Sequence, residues 1–219
     1  MSCSHFYIGS SKYCHIDSIN TDMRFYILLD TSGSMEGAKI AALNDAMANI
    51  VTELQQCANS SKKHIVLSIL SFGREPKWMY EKSLSIQEFE WIKLTPKGMT
   101  PLGKTCLELH SRLISDMSTV NDDVCIILLS DGCPTDDYDE GIETLQANEY
   151  FIKAYKYAIA IGNNADIPSL LRFTDDSSHI FQQNKTDELL NVLQNILYNE
   201  INAIQPLSSL TIEGDDEWE

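Results

Sequence analysis

No apolar run in the 219 residues approaches the roughly 20 that a membrane-spanning helix needs. Nor does any N-terminal stretch join basic residues to an apolar core of signal-peptide length. Basic residues are scarce: 16 Lys and Arg stand against 32 Asp and Glu, a formal net charge of −16. That balance argues against a nucleic-acid or anionic-membrane binder, whose phosphate contacts need clustered Lys and Arg. The six cysteines, at 3, 14, 57, 106, 125 and 133, form no CxxC pair and read as reduced, mostly buried thiols. A cytoplasmic protein is the expectation. Repeats and low-complexity blocks are missing. What is present is a 43% apolar content, ample for a core, and a length that suits one α/β domain.

The acid excess is local. Residues 113–152 hold ten acids and no base, and residues 213–219 hold five more. Without them, 17 acids face 16 bases. The tail reads as a solubilising end. Residues 1–22 are polar and aperiodic, and Met23, directly ahead of the first apolar run, is a second candidate start. Cys3, His5, Cys14 and His15 are zinc-type ligands, but their spacing fits no familiar finger. The expected organisation is an extension over 1–22, a domain over 23–204 and an acidic tail over 205–219.

Continuous apolar runs at Arg24–Asp30, His64–Phe72, Val124–Ser130 and Tyr155–Ile161 predict strands buried on both faces, with a short one at His179–Gln182. Lys77–Lys82, carrying Trp78 and Tyr80, reads as a short antiparallel edge strand. Helical spacing marks Glu36–Cys57, the stretch from Pro101 to Met117 and, more weakly, Glu140–Phe151 and Ile167–Phe173. Ser85–Glu90 suits one helical turn. Thr186 is the expected cap of a last helix, Asp187–Ile204. Strands and helices in alternation predict a doubly wound α/β fold, a mainly parallel central sheet with helices on both faces. Such sheets bind ligands outside the carboxyl ends of their strands.

Two strands end in carboxylates. Asp30 opens Asp30-Thr31-Ser32-Gly33-Ser34, and Asp131 opens Asp131-Gly132-Cys133-Pro134-Thr135. Between them the loop Gly98-Met99-Thr100-Pro101 offers a hydroxyl at a helix start. An all-oxygen set of Asp30, Ser32, Ser34, Thr100 and Asp131, with no His or thiolate, suits a hard divalent cation. Mg²⁺ is the expectation, with Mn²⁺ or Ca²⁺ as alternatives.

These residues resemble the von Willebrand factor type A family, whose DxSxS motif matches Asp30, Ser32 and Ser34 and whose loop Thr and strand-terminal Asp match Thr100 and Asp131. The resemblance spans about residues 23–204. It implies a Rossmann-like fold and a complete metal-ion-dependent adhesion site, or MIDAS. In that site Ser32, Ser34 and Thr100 hold the metal, Asp30 and Asp131 orient its waters, and an open position takes a partner's carboxylate. The opening MRFYILLDTSGSM and the GMTPLG loop are similar to the intracellular bacterial TerY-like branch, associated with tellurium resistance and stress. That branch implies a protein kinase or phosphatase of the same system as partner.

The expected function is therefore a non-catalytic, metal-dependent protein-interaction module. Asp136, Asp137, Asp139 and Glu140, just past Asp131, are expected to rim the mouth and select a partner with one acid among basic residues. A Mg²⁺-dependent phosphoryl-transfer enzyme is the alternative, but the second residue after Asp30 is Ser32, not an acid. No Lys stands beside either motif, and Lys97 and Lys104 are the ones placed to approach. A structural subunit with an idle metal site is the third reading.

Overall fold

The computed structural model describes residues 22–61, 64–116, 122–185 and 188–203. The expectations for the Cys/His set, Met117, Thr186 and the acidic tail fall outside these residues. The strands are β1 (Met23–Asp30), β2 (Ile65–Phe72), β3 (Lys77–Trp78), β4 (Leu84–Ser85), β5 (Asp123–Ser130), β6 (Tyr155–Ile161) and β7 (Ile180–Gln183). The helices are α1 (Ala38–Ser61), α2 (Leu102–Asp116), α3 (Tyr138–Gln146), α4 (Glu149–Lys153), α5 (Ile167–Thr174) and α6 (Leu189–Ala203).

The sheet runs β3-β2-β1-β5-β6-β7, parallel from β2 through β7. Its antiparallel edge comes in two pieces, β3 and β4, both paired to β2. Because side chains alternate along a strand, each central strand serves two cores. Phe25, Ile27 and Leu29 of β1, with Cys125, Ile127 and Leu129 of β5, pack with α1 and α6. Tyr26 and Leu28, with Val124, Ile126 and Leu128, pack with α2 to α5. Burial on both faces is why these strands read as unbroken apolar runs.

Three elements differ from the periodicity, each for a local reason. The helix expected from Glu36 starts at Ala38, after a short 3₁₀ turn, Gly33–Met35, and the turn residue Gly37. The helix expected over Glu140–Phe151 is two: the Asn148 side chain accepts hydrogen bonds from the amides of Tyr150 and Phe151 and so starts α4. The Lys77–Lys82 strand shortens to β3 because Tyr80 leaves the sheet to stand edge-on against Phe89, 5.1 Å between centroids. Trp78 stays at the edge, against Tyr26 and beneath the Arg112 guanidinium. Trp78 thus serves edge packing, and Tyr80 packs against the core beside Phe89.

From β1 the chain crosses to β2 on one side, and from β5 to β6 on the other. The strand order reverses between the carboxyl ends of β1 and β5. A doubly wound sheet offers its ligand crevice at that point.

Candidate metal centre

Asp30, the last residue of β1, is wholly buried. Its Oδ1 accepts the Ser32 amide at 2.8 Å and its Oδ2 accepts the Ser130 hydroxyl at 2.6 Å. The second bond follows from the register, since Leu29 lies opposite Leu129 and the next residues are Asp30 and Ser130. Burial raises the Asp30 carboxyl above its ordinary value, the bonds from Ser130 and Ser32 pull it back, and the charge of Asp131 adds to the rise.

Ser32 and Ser34 place their hydroxyl oxygens 2.9 Å apart on the turn after β1. The Ser34 hydroxyl donates to Asp131 Oδ1 at 2.7 Å, which leaves Ser32 as donor in the Ser32–Ser34 bond. A continuous hydrogen-bonded path thus runs Asp30, Ser32, Ser34, Asp131. Thr100 closes the group across Gly132. A Cβ at Gly132 would lie 3.3 Å from Thr100 Oγ1 and 4.0 Å from Ser34 Oγ, so the two hydroxyls face a common space beside this glycine, which a side chain would crowd. The structure therefore brings all five candidate residues together.

Backbone bonds hold the three loops to one another. The amide of Lys97 donates to Thr31 O at 2.6 Å, that of Gly33 to Gly98 O at 3.0 Å, and that of Met99 to Gly73 O at 3.1 Å. On the other side, the Thr100 amide donates to Thr135 Oγ1 at 3.0 Å and the Thr135 amide to Thr100 O at 2.9 Å.

A hard divalent cation fits this donor set. Every group facing the space beside Gly132 is an oxygen, and neutral hydroxyls outnumber carboxylates. Among the described residues, no group of three His, Cys, Asp or Glu is arranged to hold a metal, so a cation bound here would need the hydroxyls of Ser32, Ser34 and Thr100.

The acids beyond Asp131 have local duties. Asp136 accepts the amides of Gly103 and Lys104, at 2.9 and 2.8 Å, and so holds the start of α2. Asp137 caps α3 through the Glu140 amide at 3.2 Å. Asp139 pairs with Arg172. The Glu140 carboxylate has no ion-pair partner among the described residues. Asp136→Ala should therefore cost about 1 kcal/mol of stability, read as a lower urea midpoint with unchanged m. Glu140→Gln alters charge with no cap lost.

Two residues were missed in the sequence. Ser130 is signalled only by the register of two strands not yet known to be neighbours. Lys39, in the first turn of α1, donates from Nζ to Asp131 Oδ2 at 2.5 Å. The lysine that reaches a motif is thus neither Lys97 nor Lys104, the two expected to approach, but Lys39. Of the two considered, Lys104 pairs instead with Glu75 at 3.0 Å.

A family model, von Willebrand factor type A domain, matches residues 25–196. The chain belongs to the von Willebrand factor type A (VWA) family. VWA domains are generally non-enzymatic modules of protein interaction and adhesion. Solved structures share the fold. The ArnB paralog VWA2 from Sulfolobus acidocaldarius is 22% identical with a TM-score of 0.60, over 79% of this VWA domain's chain and 44% of that one. A von Willebrand factor type A protein from Catenulispora acidiphila is 15% identical with a TM-score of 0.63, over 80% and 42%. Proximal thread matrix protein 1 from the mussel byssus is 12% identical with a TM-score of 0.60, over 83% and 46%, and is described with a zinc-occupied MIDAS motif. The chain thus spans less than half the length of these three. No curated protein sequence matches it. Among the described residues of this VWA domain, no helix is long and apolar enough to cross a membrane.

Proposed function

We propose that this VWA domain is a divalent-metal-dependent protein-interaction module, in which Asp30, Ser32, Ser34, Thr100 and Asp131 form a MIDAS that takes a carboxylate from a partner protein. The observation that carries the reading is the hydrogen-bonded path from Asp30 through Ser32 and Ser34 to Asp131, with the Thr100 hydroxyl converging beside Gly132. Bound there, Mg²⁺ would supply an electrophile for an incoming carboxylate. The chain's own part is to hold neutral hydroxyls toward the cation and keep Asp30 from rotating. The MRFYILLDTSGSM and GMTPLG segments support a cytoplasmic, bacterial TerY-like setting, a stress or tellurium-resistance system whose kinase or phosphatase is the partner.

Catalysis by Asp30 has little support. Its carboxylate is wholly buried and each oxygen already accepts a hydrogen bond, so it is poorly placed to attack phosphorus. Lys39 is committed to Asp131. The acidic rim stays part of the proposal in a narrower form. With Asp136 and Asp137 engaged as caps and Asp139 paired, Glu140 is the rim charge best placed to meet a basic residue beside the partner's acid.

The test is affinity capture from the source cell in Mg²⁺ and in EDTA, with Asp30→Ala and Ser32→Ala alongside. Capture should require Mg²⁺ and fall at least tenfold in either variant. Undiminished capture in EDTA would favour the structural subunit and sink the proposal.

A further inference from the structure

Lys39 is a cation built into the centre. Its ammonium holds Asp131 Oδ2 at 2.5 Å, while Asp131 Oδ1 accepts the Ser34 hydroxyl at 2.7 Å. One oxygen of this carboxylate thus faces the hydroxyl set, and the other is tied to α1. The Asp131 side chain is 0% exposed and that of Lys39 only 32%, so the pair is shielded on one side from solvent screening. Gly162, at the end of β6, brings backbone over the same ammonium: a Cβ there would lie 3.4 Å from Lys39 Cε and 3.5 Å from Nζ. Lys39 is therefore enclosed by α1, the Asp131 loop and the end of β6.

Charge arithmetic gives this enclosure a consequence. Asp30 and Asp131 alone would neutralise a divalent cation, and a neutral centre has little pull on a carboxylate. With Lys39 cancelling Asp131, the loaded centre carries one surplus positive charge. One incoming carboxylate removes that surplus.

We propose that Lys39 is a positioning residue that couples the two ligands of the centre, weakening the hold on the metal itself and strengthening the loaded centre's hold on a carboxylate. This rests on the MIDAS reading above. Loss of the ammonium therefore acts on the two ligands in opposite directions. A purely structural lysine would instead weaken the metal site when removed and leave the coupling alone.

The experiment measures Mn²⁺ dissociation constants by electron paramagnetic resonance, in chloride and in acetate of equal ionic strength, for the full chain and for Lys39→Met, Lys39→Gln and Lys39→Arg. In the parent, acetate should tighten Mn²⁺ binding. In the Met and Gln variants, Mn²⁺ should bind about tenfold more tightly in chloride and the acetate effect should shrink, as expected for removing one charge a few ångströms away. The Arg variant should behave as the parent. Two uncharged variants are used so that poor folding of one, seen in its melting curve, leaves the other to decide. If both bind Mn²⁺ no better than the parent and keep its acetate effect, the coupling role is overturned while the MIDAS reading stands. If the parent binds no Mn²⁺, both fall.

Discussion

Asp30→Asn should melt several degrees above the parent protein when both are held in EDTA, and should show none of the parent's rise when Mg²⁺ is added. The substitution preserves shape: the asparagine oxygen accepts the Ser32 amide, and its NH₂ meets the Ser130 hydroxyl, which accepts as readily as it donates. What it removes is a buried negative charge. Burial raises the folded-state value of Asp30 above the ordinary 3.8, so the fold prefers the protonated carboxyl. Stability from this group is complete below the unfolded value and is lost as pH rises through the higher folded value. At neutral pH the carboxylate is a cost that asparagine does not carry, about 1–3 kcal/mol for an incompletely compensated buried group. Each kcal/mol is worth roughly 2–4 °C at this chain length. Scanning calorimetry from pH 4 to pH 8 in EDTA should show the gain shrinking toward acid. A variant that melts lower than the parent throughout would mean that Ser130, Ser32 and Lys39 already offset the charge.

Gly103→Ala should cost about 3–5 kcal/mol or prevent folding, although alanine is the better helix former by about 1 kcal/mol. The starts of α2 and α3 meet at a pair of glycines. A Cβ on Gly103 would lie 2.1 Å from the Asp137 carbonyl oxygen, and one on Gly141 would lie 2.3 Å from that of Gly103. Both obstacles are backbone, so no flexible side chain can give way. The damage reaches the centre, because Asp136 grips the amides of Gly103 and Lys104 while Thr135 bonds Thr100. Forcing α3 away pulls that loop from the Thr100 backbone, which carries the hydroxyl of the candidate site. Urea denaturation should show the loss, and Mn²⁺ affinity should fall with it. A stabilised Gly103→Ala would refute the close crossing.

The strands and five candidate ligands were legible because each depends on near neighbours in sequence: unbroken apolar runs for two-sided burial, and a carboxylate or hydroxyl where a strand ends. What escaped notice depends on distant partners. Lys39 reaches Asp131 only because α1 leans toward β5, and Ser130 meets Asp30 only through the pairing of β1 with β5. The acids at 136, 137 and 139 were read as field, whereas the fold commits their carboxylates to two helix starts and one guanidinium. Asn148 shows the same effect on secondary structure. A side-chain cap divides what periodicity presents as one helix.

The bonds that join the loops bear on which cation the proposed centre admits. Thr31, Gly33, Lys97 and Gly98 are laced to one another, and Thr100 to Thr135, by backbone and hydroxyl bonds of 2.6–3.0 Å. A frame tied in this way would resist widening around a larger ion. Ca²⁺ asks for six to eight oxygens at about 2.3–2.6 Å, whereas Mg²⁺ takes an octahedron at about 2.0–2.1 Å and keeps much of its water. In the proposed centre, loop spacing would thus set the choice by ionic radius and would favour the smaller ion before any partner arrives.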